Sequence, residues 1–249
     1  MGQHWLADTE ALEAITEYAE LKPTDTVLEV GPGLGTLTKY LTNQASHVIA
    51  VEFDEALAAQ LPQRVPASNL NVVYQDILTF DLTSLPTHYK VVANIPYYLT
   101  SNLLRILSES SNPPSQMVLL VQQEVAERIC AAPGQMSLLA VSVQLYYTAE
   151  LGITIPADKF DPPPKVDSQV VILRRYQKSR FASLDTAKFF KIVKAGFSER
   201  RKKLRSSLAG GLDLPKDQVD SWLARSGIDG DLRAQNLSLD DWHQLYENY

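Results

Sequence analysis

Thr26-Val27-Leu28-Glu29-Val30-Gly31-Pro32-Gly33-Leu34-Gly35-Thr36-Leu37-Thr38-Lys39-Tyr40-Leu41 reads as a short apolar strand, a glycine loop and the start of a helix. Glycines there let the backbone turn tightly and approach a ligand with no Cβ in the way. The G-x-G-x-G spacing differs from the G-x-G-x-x-G of dinucleotide sites, and the Lys-Ser/Thr of a P-loop is missing. Further along, His47-Val48-Ile49-Ala50-Val51 reads as a strand ending in Glu52. An acid at that distance and strand end is where a ribose diol is held by charge-assisted hydrogen bonds. A fourth strand, Asn71-Val72-Val73-Tyr74, ends in Gln75-Asp76, whose carboxylate could accept from an adenine amine. Either acid alone reads as a cap or a solvated loop residue. Ligands in open α/β sheets bind beyond the carboxyl ends of the strands. Glycine loop, Glu52 and Asp76 therefore predict one crevice for an adenosine-containing cofactor that has no pyrophosphate.

The run Tyr89-Lys90-Val91-Val92-Ala93 predicts another buried strand, and Asn94-Ile95-Pro96-Tyr97 follows it directly. An amide, a proline and an aromatic at a strand end suit the binding of an exocyclic amine on a planar base. The Asn94 side-chain oxygen and a nearby carbonyl can accept the two amine hydrogens. Pro96 fixes φ and removes a donor, and Tyr97 offers a π-face. A plain strand-to-helix turn with an Asn cap is the structural alternative.

These motifs stand in one order with Gly2-Gln3-His4-Trp5-Leu6 ahead of them and Phe160-Asp161-Pro162-Pro163-Pro164-Lys165-Val166-Asp167-Ser168 behind. Gln123-Glu124-Val125-Ala126-Glu127-Arg128, Phe197-Ser198-Glu199-Arg200-Arg201-Lys202-Lys203-Leu204-Arg205 and Arg233-Ala234-Gln235-Asn236-Leu237-Ser238 agree. Over nearly its whole length the chain resembles the KsgA family, S-adenosylmethionine-dependent dimethyltransferases of small-subunit ribosomal RNA. The related Erm enzymes, which methylate large-subunit RNA, share the Asn-Ile-Pro-Tyr motif. The triple proline before Lys165 and the Arg-x-x-x-Leu-Ser ending look more like KsgA.

The resemblance implies a Rossmann-like class I methyltransferase sheet, mostly parallel with one antiparallel edge strand. It implies contacts to S-adenosyl-L-methionine from Gln3, His4, Leu6, Gly31, Gly33, Glu52, Asp76 and Asn94, with His4 acting through its backbone. Asn94, Pro96, Tyr97 and Phe160 would form the catalytic base site, with Tyr97 and Phe160 sandwiching a flipped adenine. Phe160 has a second reading as a core aromatic anchoring the proline loop, and Tyr98 a reading as a packing residue. The implied reaction is N6-dimethylation of two adjacent adenosines in a hairpin loop near the 3′ end of 16S rRNA, within small-subunit biogenesis. Family members usually carry a basic leader ahead of the Gly-Gln pair, and this chain starts almost on that pair. Such a leader would close over the cofactor or grip RNA.

Hydrophobic residues make up 45% of the 249 and charged ones 21%, ordinary for a globular protein. One cysteine, Cys130, excludes an internal disulfide framework and suits a reducing cytoplasm. No apolar stretch approaches a membrane span, the start is neither a signal peptide nor a myristoylation site, and the scattered histidines give no metal-ligand spacing. Net charge is −6, yet residues 174–205 carry 12 Lys/Arg against Asp185 and Glu199, a local +10 that leaves −16 elsewhere. That asymmetry is the mark of an electrostatic footprint for RNA. Lys191, Lys194, Arg200, Arg201, Lys202, Lys203 and Arg205 are the expected phosphate contacts, and affinity should fall steeply with salt.

Alternating strands and helices in the first half predict a parallel sheet with right-handed crossovers. Residues 116–122 predict a further buried strand, and 141–147 with 169–173 an antiparallel edge. Beyond about residue 178 the pattern is helical, broken at Gly210-Gly211 and at 227–230, with Trp222 and Trp242 as core anchors. The expected domains are 1–178, which binds the cofactor and is catalytic, and 179–249, small, helical and RNA-contacting; the protein is expected to act as a monomer on the small ribosomal subunit. Three rivals stay open: an Erm-type enzyme, a non-catalytic ribosome-assembly or transcription factor, and a small-molecule methyltransferase, which would not need the basic segment.

Overall fold

Runs of aliphatic and β-branched residues set the sheet. A computed structural model describes residues 4–96 and 98–249; Gln3 and Tyr97, both expected in the site, lie outside them. The chain forms two compact units, one comprising the residues up to Glu127 with Tyr147–Arg175, the other Arg128–Tyr146 with Tyr176–Tyr249.

In the first unit, β1 (Trp5–Leu6) and α1 (Thr9–Tyr18) precede β2 (Thr26–Val30), α2 (Thr36–Gln44), β3 (His47–Glu52), α3 (Glu55–Arg64), β4 (Leu70–Tyr74), β5 (Lys90–Asn94), α4 (Thr100–Glu109) and β6 (Gln116–Gln122). After α5 (Gln123–Ile129) and α6 (Leu138–Gln144) come β7 (Tyr147–Ile155), β8 (Phe160–Asp161) and β9 (Ser168–Arg175). Seven strands form one sheet in the order β4-β3-β2-β5-β6-β9-β7. β4 through β6 are parallel, and β9 runs antiparallel to both β6 and β7. Val91–Ala93 and Met117–Val121 are buried, as strands covered on both faces must be. The chain winds from β2 to β3 and β4 on one side, then crosses to β5 and β6 on the other. A crevice opens where the order reverses. The register Val27↔Lys90 and Leu28↔Val91 brings the loops after β2 and β5 side by side above it.

Leu12 and Ile15 of α1 and Leu37 and Leu41 of α2 pack on Val27, Val48, Val92 and Val118 of the sheet. Each such side chain contributes roughly 1.5–3 kcal/mol by leaving water. The helices start where acids allow: Asp8 accepts the Ala11 N–H and Asp54 the Leu57 N–H, each at 3.0 Å. α2 differs, with Gly35 at its N-cap and no side-chain cap.

The second unit packs α6, α7 (Thr186–Phe197), α8 (Leu204–Leu212), α9 (Lys216–Arg225) and α10 (Leu239–Glu247) around Phe189, Trp222 and Trp242. Three expectations need correcting. Arg128–Tyr146, assigned from sequence to the first domain, groups with these helices because Met136, Ala140, Val141 and Leu145 enter their core. Residues 141–147 are mostly α6 rather than strand: Ser137 Oγ accepts the Ala140 N–H at 3.1 Å and starts a helix. A short apolar run has no period of its own to separate the two states. Gly210-Gly211 lies inside α8 and breaks nothing. A Cβ on Gly211 would sit 2.7 Å from Ala195 Cα, so its absence lets α8 lie against α7.

Candidate active site

The crevice is a cavity of about 1070 Å³ within the first unit. Its wall takes His4 and Leu6 from the β1 segment, Gly31 from the glycine loop, Glu52 and Asp76 from successive strand ends, and Asn94 and Pro96 after β5. Phe160 of β8 and Tyr98 also line it. One space therefore brings together the expected residues that the structure describes, with Gly33 just behind it.

Gly31, Gly33 and Gly35 all have positive φ. At Gly33 a Cβ would also run into the Trp5 ring, which packs over the loop. The Gly33 N–H donates to Glu52 Oε2 at 3.1 Å and the Asp54 N–H to Glu52 Oε1 at 2.9 Å. Backbone amides thus fix the Glu52 carboxylate at the strand end, with further lone pairs able to accept from ribose hydroxyls. Asp76 caps its own 3-10 turn through the Leu78 N–H at 2.9 Å while lining the cavity, so its two sequence readings are compatible.

Glu29 is the site residue that sequence reasoning passed over. It lines the cavity, is 1% exposed, and its Oε2 meets no hydrogen-bond partner among the described residues. Burial, reinforced by the Glu52 carboxylate, pushes its pKa up to about 8. The Thr38 hydroxyl, close by but outside hydrogen-bond geometry, pulls the other way. The available signal was a lone acid within an otherwise apolar strand.

This lining discriminates between ligands. Glu52, Asp54, Glu55 and Asp76 bring carboxylates to the space, the buried Glu29 adds a carboxyl that can ionise beside a cation, and no Lys or Arg among the described residues lines it. Such a cavity repels a pyrophosphate and favours a ligand carrying positive charge. The sulfonium and ammonium of S-adenosylmethionine fit it, and the uncapped start of α2 offers N–H groups to a carboxylate.

On the base side, Asn94 Nδ2 donates to the His4 carbonyl at 3.4 Å, which leaves Oδ1 as the acceptor of that amide. The Pro96 carbonyl accepts the Leu99 N–H at 2.9 Å and closes the turn. β1 pairs antiparallel with β8, Trp5 opposite Asp161 and Leu6 opposite Phe160. Phe160 is buried in the first unit's core, as its second reading expects, and also lines the cavity. Tyr98 does not pack, being 75% exposed at the cavity.

The expected phosphate contacts belong to the second unit. Lys188, Lys191 and Lys194 project from α7 at intervals of three, and Arg200 and Arg201 are exposed in the following turn. The others are engaged: Lys202 pairs with Glu199 at 3.3 Å, Lys203 with Asp231 at 2.9 Å, and Arg205 with Asp231 at 2.8 Å. Lys203 donates to Asp231 and holds that carboxyl below its usual range. Among the described residues no cluster of His, Cys, Asp or Glu could hold a metal, and no helix is long and apolar enough to cross a membrane.

Comparison with known proteins points the same way. The sequence matches the family "Ribosomal RNA adenine dimethylase" over residues 1–249. It is 42% identical to ribosomal RNA small subunit methyltransferase A of Dehalococcoides mccartyi (strain ATCC BAA-2266), covering 98% of this chain and 86% of that protein. The enzyme of the same name from Desulfitobacterium hafniense (strain DCB-2) is 39% identical over 99% of this chain and 90% of its own. Among solved structures, a dimethyladenosine transferase from Plasmodium falciparum superposes with a TM-score of 0.82 at 26% identity, over 97% of this chain and 96% of that one. The 23S rRNA methyltransferase ErmE does so with 0.80 at 28%, over 98% of both. With motifs, fold and match extending along the whole described chain, the protein belongs to the ribosomal RNA adenine dimethylase family.

Proposed function

We propose that the cavity binds S-adenosylmethionine and that Asn94 presents the N6 amine of an extruded adenine to it. The product is N6,N6-dimethyladenosine at two adjacent positions of a hairpin loop near the 3′ end of 16S rRNA. The observation that carries this is the Asn94 amide, hooked to His4 in a cavity lined by carboxyls and shared with the glycine loop. When bound, the cofactor supplies an electrophilic methyl on a sulfonium. Glu29 would hold its cationic end, Glu52 the ribose hydroxyls and Asp76 the adenine amine, with Gly31 and Leu6 closing the walls.

The target amine is a poor nucleophile because its lone pair is delocalised into the ring. Asn94 Oδ1 accepts one of its hydrogens. The second acceptor is the Ile95 carbonyl or the remaining lone pair of the Pro96 carbonyl, which already accepts the Leu99 N–H. Holding both hydrogens turns the lone pair out of conjugation and into line for transfer. These bonds strengthen as positive charge develops, so they favour the transition state. No general base is needed, since the methylated nitrogen is acidic enough to lose its proton to water. Phe160 and Tyr97 would stack on the base. Lys191, Lys194, Arg200 and Arg201 would bind phosphates, with Lys202, Lys203 and Arg205 adding charge through partly neutralised pairs. The protein is taken to work as a monomer on small subunits in the cytoplasm.

Identities of 42% and 39% to the small-subunit enzymes, against 28% to ErmE, support the small subunit over the Erm alternative. Nucleoside analysis of RNA after reaction tests the chemistry. N6,N6-dimethyladenosine is the expected product; methylation on a ring nitrogen would refute the geometry assigned to Asn94.

A further inference from the structure

We propose that His4 is a positioning residue: its ring hangs on the Pro162 carbonyl so that its own carbonyl keeps the Asn94 amide turned with Oδ1 toward the base. The proposal rests on the reading that Asn94 receives the adenine amine. His4 Nδ1 lies 2.7 Å from the Pro162 carbonyl oxygen. A carbonyl only accepts, so Nδ1 carries the hydrogen and donates.

Among the described residues, that bond is the outermost rung of a clasp. Below it come the pairs Trp5↔Asp161 and Leu6↔Phe160, the Ala7 N–H to the Lys159 carbonyl at 3.5 Å, and the Lys159–Asp8 ion pair at 2.6 Å. Without its side-chain anchor that rung loosens. His4 is the rung that reaches Asn94, at 3.4 Å.

An asparagine amide has nearly the same shape either way round, and only its partners decide which end is oxygen. The His4 carbonyl accepts only, so it selects the orientation with Nδ2 toward itself. A flipped amide would aim its own donors at the donors of the adenine amine. One neutral hydrogen bond is worth about 1 kcal/mol net, which corresponds to a population ratio of roughly five to ten. Loss of the anchor should therefore lower the reactive orientation from about nine-tenths toward one half, and turnover with it by about twofold.

The test begins without cofactor or RNA. In ¹⁵N-labelled protein the Asn94 side-chain amide pair is assigned by its disappearance in Asn94→Ala. His4→Ala should shift or broaden that pair, and His4→Asn, whose Nδ2 takes the place of Nδ1, should restore it. His4→Gln, which keeps bulk but displaces the donor, replaces His4→Ala if the latter does not fold. With cofactor, kcat should fall about twofold in His4→Ala while the Kd for S-adenosylmethionine stays unchanged, and His4→Asn should recover the lost kcat. An unmoved Asn94 pair overturns the proposal, as do parallel losses in kcat and cofactor affinity, which would make the ring part of the cofactor site. A moved pair in a protein that methylates no RNA would sink the functional reading and leave the positioning role intact.

Discussion

At the scale of single residues, Glu29 and Asn94 both line the cavity, and the proposed function gives them separate roles. Glu29 has its folded-state pKa raised to about 8 by burial. The folded protein then holds a proton that the unfolded chain releases near the ordinary carboxylate pKa. Stability from this group is full at acid pH and is lost as pH rises through about 8, by up to the order of 5 kcal/mol. Apo-protein Tm should fall between about pH 5 and 8. Glu29→Gln should flatten that fall and raise Tm at pH 8, yet weaken binding of S-adenosylmethionine; a Gln variant with the parental pH slope would refute the assignment. Asn94→Ala should cost roughly 10²–10³ in turnover, by analogy with losing one transition-state hydrogen bond, with a much smaller change in cofactor Kd measured by calorimetry. Asn94, Glu52 and Asp76 were legible because strand-end chemistry is local. Glu29 was not, since its burial is produced by β3 and α2 packing around it, which no spacing within β2 encodes.

At the scale of elements, the glycine loop and the β1–β8 clasp depend on each other. Gly33→Ala places a Cβ into the Trp5 ring at positive φ, and binding assays should show loss of cofactor affinity beyond tenfold. If affinity holds, Trp5 moves freely and the clasp is not a fixed wall. In the second unit Gly211→Ala should destabilise by about 1–3 kcal/mol in urea titrations, the usual cost of overpacking, because α7 and α8 touch there. From sequence, buried parallel strands were plain, while α6 passed for a strand and Gly210-Gly211 for a break. Both errors have one cause: short apolar runs and paired glycines take their meaning from the helix that packs on them.

At the scale of the whole molecule, a chain of net charge −6 handles a polyanion by segregating its charge. Replacing Lys191, Lys194, Arg200 and Arg201 with Ala should reduce the slope of log K against log salt by about three, at 0.7–0.9 per phosphate contact. Changing Lys203 and Arg205 instead should lower stability more than slope, since both are tied to Asp231. Composition revealed the basic segment, but not which of its charges are already spent inside the second unit; Asp231, which engages Lys203 and Arg205, lies 28 residues beyond Lys203. The central claim is that this chain dimethylates adenines of the small subunit, and it is tested most directly by transfer of labelled methyl groups from S-adenosylmethionine. Undermethylated small subunits, large subunits and naked RNA are offered in parallel. Label on adenine of the small subunit alone is the predicted result; label on large-subunit RNA, or RNA binding with no label anywhere, would contradict it.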